Sequence, residues 1–436
     1  MPNKLRYLRI GKYLFLTGIF ILASAPFISA IFFLLSISIS FFIGFHKIYK
    51  DKWNYLFALA AIIMVIVSII HNFHYINIET EIKGKTFSWS PTDSWLGLAN
   101  WIPLFLSYIG FQAFLSNKKD RKLCIQYLVA GSIPVLVSGF GQYFFDWNGP
   151  LHILNKLIIW FQYPLEEGQG LEGLFSNQNY AGCWLNIIWP FSITFFFDKS
   201  LNIFKKSISI SLIISISVAI FLTSSRSAWG GLLLTFPLLL GKKIFLLVLA
   251  AIIVLCVQIN LNLHLPELTR NFTSFIPDNL NLINEFNPAN YENFSETRIG
   301  IMSFATKMIL EKPVFGWGAA SFSYYNFLET FIYTGHPHNL FIELAFSYGL
   351  LPSFLVLINI LTLCFISLKF IYLNKTNIPL KDLFYEKAWC TSFIVLFISQ
   401  MIDIQYFDLR ISLSFWILLA GIRSIIRENN LQTKQL

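Results

Sequence analysis

Three residues far apart in this sequence carry side chains suited to holding and polarising an anion: Arg226, Arg298 and His338. A guanidinium presents a planar fork of N–H donors that matches phosphate or carboxylate oxygens, and an unperturbed imidazole changes charge near neutral pH. Arg226 lies in Thr223-Ser224-Ser225-Arg226-Ser227-Ala228-Trp229-Gly230-Gly231, a short turn between two apolar runs. Snorkelling to lipid headgroups is one account of an arginine in such a place. The small residues around it leave room for a ligand, and that favours an anionic partner.

His338 lies in Gly335-His336-Pro337-His338-Asn339, at the end of the longest polar interruption in the chain. Proline is well tolerated as a first helical residue, so the pattern predicts a helix starting at Pro337, with His338 and Asn339 in its first turn. The N–H groups there have no intrahelical acceptor, and such an end attracts anions. A histidine that merely caps a membrane helix at the interface is the plainer account. Arg298 follows Asn293-Phe294-Ser295-Glu296, which has the spacing of a capping box, and residues 295–311 read as an amphipathic helix. Ile301, Met302, Ala305, Met308 and Ile309 fall on one face of it, and Arg298 points with that face. An ion pair with Glu296 and a ligand role fit Arg298 equally. The helix is expected to stop at Glu311-Lys312-Pro313, before a turn at Gly316-Trp317-Gly318. Asn179 and Asn339 complete the candidate substrate-binding residues; His336, at the expected cap, is not assigned chemistry.

The elements that must position these residues are membrane helices. Of 436 residues, 56% are hydrophobic and 13% charged, with a mean hydropathy of +0.61; an ordinary soluble globular protein is excluded. The net charge of +9 does not indicate nucleic acid, because the basic residues are spread through short loops between apolar runs. The five cysteines are widely spaced within or beside apolar segments, suggesting neither a disulfide framework nor a metal knuckle. A bilayer core needs roughly 17–25 apolar residues per helix. The fold expected is therefore an all-α polytopic membrane protein of about 12 transmembrane helices, near 9–24, 27–45, 54–71, 95–115, 123–145, 180–197, 207–223, 228–241, 244–261, 352–372, 386–403 and 409–425. Residues 1–436 form one integral membrane domain in this reading, with a large extracytoplasmic segment over about 262–351 that contains short helices.

With the N-terminus inside, the loops assigned to the cytoplasm hold 23 of the 32 Lys and Arg but only 6 of the 23 Asp and Glu. That asymmetry fixes the orientation, with both termini cytoplasmic. Arg226, Arg298 and His338 then share the outer side. The outer segment 72–94 shows no evident chemistry, and the segment 146–179 ends in the turn-rich Gly170-Leu171-Glu172-Gly173-Leu174-Phe175-Ser176-Asn177-Gln178-Asn179 just before a span.

On these residues the chain resembles the O-antigen ligase and O-antigen polymerase superfamily of bacterial polysaccharide assembly, over roughly 170–370. The carriers are Ser225-Arg226-Ser227-Ala228-Trp229, Thr297-Arg298 with Pro313-x-x-Gly316-x-Gly318, and His336-Pro337-His338-Asn339 leading to Gly349-Leu350. Pro337 stands where relatives often have a small residue. The resemblance implies a glycosyltransferase of the plasma (inner) membrane that takes a glycan from a polyprenyl-pyrophosphate carrier, on the outer side, with no metal and no nucleotide. It implies Arg226 and Arg298 at the pyrophosphate and His338 as the essential histidine, either accepting the acceptor's proton or donating a hydrogen bond to phosphate. The acceptor, whether lipid A core, another glycan or a protein, stays open, and with it ligase against polymerase. A bicarbonate transporter is the rival reading, since some relatives are associated with bicarbonate uptake. It predicts internal repeats or charged, interrupted spans, and the sequence shows no clear repeat and almost no charge in its apolar runs.

The orientation can be checked by labelling single cysteines in intact cells. A cysteine replacing Asn281 is expected to react and one replacing Asn377 to stay protected; the reverse pattern would overturn the topology.

Overall fold

The computed structural model describes residues 2–44, 51–75, 78–82, 85–198, 201–241, 243–244, 246–248, 250–251, 297–331, 333–373 and 380–433. Most of the expected span 244–261, the residues 262–296 with their capping box and Glu296, and the connection at 374–379 lie outside the described residues. In chain order the helices are α1 (Pro2–Ile21), α2 (Pro26–Ile43), α3 (Lys52–His74), α4 (Thr92–Gly97), α5 (Ile102–Phe111), α6 (Lys118–Gly131), α7 (Ile133–Phe145) and α8 (Gln178–Phe197). They continue with α9 (Ile203–Leu222), α10 (Arg226–Leu239), α11 (Arg298–Glu311), α12 (Phe322–Thr330), α13 (Leu340–Tyr348), α14 (Leu350–Leu368), α15 (Leu380–Ile402) and α16 (Leu409–Thr433). The strands among the described residues make two antiparallel hairpins, Ile78–Ile82 with Lys85–Trp89 and Leu151–Ile153 with Ile158–Trp160.

The protein is mostly helical, and seven helices among the described residues are long and apolar enough to cross a bilayer. One expected span takes another form. Over 95–115 the chain makes the end of α4, a 3-10 turn at Leu98–Asn100 and the ten-residue α5. The break falls at Trp101, whose φ of −127° and ψ of −58° leave helical geometry, and Pro103 follows in the first turn of α5, where its missing N–H costs nothing.

The chain forms two compact units, Met1–Ser132 with Asn293–Leu436, and Ile133–Glu292. In the first, α2 shows the pattern of a lipid-facing helix. Phe27, Ile31, Leu34, Leu35 and Phe42 are exposed while Ser29, Ser36 and Ser40 are buried, and Ser29 Oγ donates to the carbonyl of Gly18 at 2.7 Å. Serines on the buried face, beside Phe33 and Ile37, permit the close helix contact that packing in lipid requires. The centre of this unit is aromatic, with Phe57, Phe105 and Tyr108 around Trp416. Its charged helix ends are tied by ion pairs. Arg121 bridges Glu386 at 2.9 Å and Glu428 at 2.7 Å, and Arg423 Nε meets Asp51 at 2.6 Å.

The second unit is built on α8, which is buried without interruption from Ala181 to Thr194. Its polar connection 147–173 is held by two glutamines. Gln162 bonds Ser138 and the carbonyl of Trp147, and Gln142 Oε1 accepts from the N–H groups of Glu172 and Gly173.

Removing one partner of a buried ion pair costs about 3–5 kcal/mol, because the other charge is left uncompensated. Arg121→Ala is therefore expected to lower thermal stability in nanodiscs by that order. Glu428→Gln should cost much less, since its side chain is 23% exposed and the Glu386 pair remains. Equal losses in the two variants would count against this account.

Candidate functional site

In the first unit the site is assembled around Asp403, the residue that follows α15. One carboxylate oxygen meets His338 Nδ1 at 3.0 Å, and the other lies 3.8 Å from Arg298 Nη2. Arg298 and His338, forty residues apart in sequence, are thus brought to the same carboxylate. His336 joins them: its ring lies 4.8 Å from that of His338, at 80°, and its Nδ1 accepts the backbone N–H of His338 at 3.3 Å.

Arg298 is the first residue of α11, which Thr297 caps by accepting from Gly300 N at 3.0 Å. Ile301, Ala305, Met308 and Ile309 pack on Phe322 of α12 and on Ala345 and Phe346 of α13. The expected apolar face is present, and it leaves the Arg298 side chain 43% exposed. The Pro313-x-x-Gly316-x-Gly318 segment laces α11 to the end of α13. Trp317 N donates to Phe346 O at 2.7 Å, Gly318 N to Ser347 O at 3.1 Å, and Leu350 N to Pro313 O at 2.8 Å. A Cβ on Gly316, at φ +65°, would sit 2.5 Å from Phe346 O, so only glycine permits this approach.

The helix expected from Pro337 starts instead at Leu340, and His338 stands outside it with φ +54°. The reason is Asn339, the better N-cap. Its Oδ1 accepts from Phe341 N at 3.0 Å and Ile342 N at 3.1 Å, while its Nδ2 donates to Met401 O at 3.0 Å. Glu343 N bonds Asn339 O at 2.9 Å. The N–H groups of Phe341, Ile342 and Glu343 at this helix end are therefore already satisfied. Asn339 ties the loop carrying His338 to the last turn of α15, next to Asp403.

Burial alone would raise the carboxyl of Asp403, but the hydrogen bond to His338 and the charges of Arg298, His338 and His336 outweigh it, so the group is held below its ordinary value. Burial, reinforced by His338, lowers His336. His336, His338 and Asp403 offer ligand atoms all within 4.8 Å of one another, a spacing that can hold a metal ion. Arg298, directed at the same carboxylate, competes with such an ion.

In the second unit Arg226 is the first residue of α10, exposed, and capped by Ser225, whose Oγ accepts from Ala228 N. Ser225 Oγ donates to Asn179 Oδ1 at 2.7 Å. Asn179 lies in the first turn of α8, where Asn177 Oδ1 accepts its N–H at 2.8 Å. Leu171 N donates to Leu222 O at 2.8 Å, and a Cβ on Gly170 would fall 2.0 Å from Thr223 O. The two polar stretches read separately in the sequence, 170–179 and 223–231, pack together in the second unit. The Arg226 backbone is fixed by this packing.

Both arginines occupy the first position of a Ser- or Thr-capped helix. A cation there opposes the helix dipole, at a cost of about 0.3–1 kcal/mol. An anion held at the guanidinium reverses that balance.

Asp403 and His336 are not among the site residues expected from sequence. For Asp403 the signal is an acidic residue closing an apolar run on the side where Arg298 and His338 are expected; for His336 it is the spacing of two from His338.

Residues 210–357 match a protein-family model described as O-antigen ligase. The matched stretch contains Arg226, Arg298 and His338, while Asp403 and Asn179 lie beyond it. No curated protein matches the chain.

A histidine lowered by burial binds its proton more readily in the unfolded chain, so it draws stability from the fold as pH falls below the unfolded value of 6.5. Thermal unfolding in nanodiscs is expected to show the melting midpoint declining on acidification through that window, and His336→Gln to flatten the decline. An unchanged acid slope in the variant would exclude His336 as a cause.

Proposed function

We propose that this chain, whose residues 210–357 match the O-antigen ligase family model, is a membrane glycosyltransferase of that superfamily, moving a glycan from a polyprenyl-pyrophosphate carrier to an acceptor hydroxyl at the outer face of the inner membrane. In this reading the chain crosses the bilayer about twelve times with both termini cytoplasmic, as the charge asymmetry of its loops supports. The observation that carries the chemistry is the Asp403–His338 pair, at 3.0 Å, with Arg298 at its edge.

In the transfer, the acceptor oxygen forms a bond to the anomeric carbon while the bond from that carbon to the diphosphate oxygen breaks. The hydroxyl proton must leave, and negative charge grows on the departing diphosphate. With Asp403 accepting from Nδ1–H, the His338 tautomer is fixed and Nε2 is left with its lone pair, the arrangement of an oriented general base. That favours proton acceptance over hydrogen-bond donation to phosphate. Arg298 is assigned to the diphosphate, where a guanidinium stabilises charge that is largest in the transition state. Arg226 receives the same assignment from its sequence motif and its position at a helix entrance. Asp403 acts as a positioning residue, Asn339 ties the loop of His338 to the carbonyl of Met401, and Asn179 accepts from the hydroxyl of Ser225, the cap beside Arg226. The arginines supply the positive charge that a divalent ion supplies in other phosphate chemistry, so the reaction is proposed to be metal-independent and without cofactor.

Transfer by purified protein from a polyprenyl-pyrophosphate glycan, with a chelator present, tests the proposal. Arg226→Ala, Arg298→Ala and His338→Ala are each expected to lose about 10²-fold or more, the scale of one electrostatic or acid–base contribution. Arg→Lys should be nearly as harmful, since an ammonium cannot reproduce the fork. Asp403→Asn should be comparably harmful, because it leaves the wrong tautomer at His338, while His336→Ala should be much milder. Wild-type turnover by His338→Ala, or a strict metal requirement, would show the mechanism to be wrong.

A further inference from the structure

A cavity of about 360 Å³ lies in the first unit, within the range of about 300–1,000 Å³ usual for small-molecule sites. Its walls include Asn100, Trp101, Gly335, Glu343, Tyr348 and Phe407. Two of these border the proposed catalytic group: Gly335 immediately precedes His336, and Phe407 follows Asp403 by four residues. A third, Glu343, stands in the first turn of α13, the helix whose cap holds the His338 loop.

Glu343 is out of place by packing logic. It is 7% exposed, on a helix otherwise buried through Leu344, Ala345 and Phe346. Ser347 Oγ donates to its Oε1 at 3.0 Å, but Oε2 is buried without a hydrogen-bond partner. A buried acceptor left without a donor is destabilising. The cavity wall also carries aromatic residues, Trp101, Tyr348 and Phe407. Apolar and aromatic walls with a few polar groups, Glu343, Asp93 and Asn100 among them, describe a site for a ring that carries hydroxyls.

We propose that this cavity is the acceptor subsite and that it takes a neutral sugar ring, one hydroxyl of which donates to Glu343 Oε2. The assignment of acceptor rests on the transferase reading above; the sugar specificity of the cavity stands on its own geometry. Burial pushes Glu343 up to about 7, so at neutral pH and above a substantial fraction of it is ionised. An ionised carboxylate strengthens a hydrogen bond from a hydroxyl and repels an acidic sugar. The subsite therefore selects uncharged rings and rejects uronic acids.

Binding can be followed by saturation-transfer NMR on the full chain in nanodiscs at pH 8, with methyl glucoside, methyl galactoside and methyl glucuronide as probes. The wild type is expected to bind at least one neutral glycoside and to bind the glucuronide at least tenfold more weakly. Glu343→Gln keeps shape and the Ser347 contact; it should weaken the neutral sugar about fivefold or more and admit the glucuronide. Gly335→Phe adds a side chain where a Cβ meets nothing within 4 Å, and should abolish binding of both. Failure of every probe to bind the wild type, equal binding of neutral and acidic sugars, or a Glu343→Gln profile identical to wild type would overturn the proposal. None of these arms uses the lipid-linked donor, so loss of the transferase reading shows separately, as absence of transfer by a protein that still binds sugar.

Discussion

The side chain of Asn339 is the contact on which the geometry of the Asp403–His338 pair depends. Its oxygen closes the end of α13 and its amide nitrogen reaches the carbonyl of Met401. One amide thus sets where a helix begins and how far the preceding loop stands from the end of α15. With the start of α13 fixed at Leu340, His338 is excluded from the helix and its ring meets Asp403. If the helix began at Pro337, the imidazole would turn with the helix and the carboxylate would lose its hydrogen bond.

Asp403 is held from its own side as well. Ile404 N donates to Oδ1 at 3.0 Å, and Gln400 and Gln405 lock the turn by reciprocal bonds, Gln405 N to Gln400 Oε1 at 3.1 Å and Gln400 Nε2 to Gln405 Oε1 at 2.9 Å. This is what a group acting through geometry requires: each rotamer is set by a neighbour with no freedom to follow it. Arg298 is treated differently. Its backbone is fixed by the Thr297 cap and the α11 core, while its side chain remains partly in solvent, free to adjust to a multiply charged ligand.

How much of this is legible in the sequence depends on the range of the forces involved. The membrane class, the apolar face of α11, its end at Glu311 and the turn at Gly316 follow from hydropathy, periodicity and glycine, all local signals. The start of α13 is ambiguous in sequence, because Pro337 and Asn339 both suit helix entrances, and the Asn339 cap together with its contact to Met401 decides for the second. The two hairpins are hidden, since Ile78–Ile82 and Leu151–Ile153 lie in segments whose polar residues suggest loop. The break at Trp101 is concealed inside an apolar run that composition alone reads as one span. Asp403 has no motif of its own: a carboxylate after an apolar helix is common, and only folding sets it against a histidine sixty-five positions away.

The backbone of His338 carries one further consequence. At φ +54° a histidine sits in the left-handed region, where a side chain with Cβ costs about 1–2 kcal/mol and glycine costs nothing. The residue proposed as the general base is therefore one the fold would exchange. Selection for heat resistance alone is expected to drift toward glycine or asparagine here, yielding a tougher protein with an empty place opposite Asp403. Under the proposed role, durability and turnover pull in opposite directions at this position.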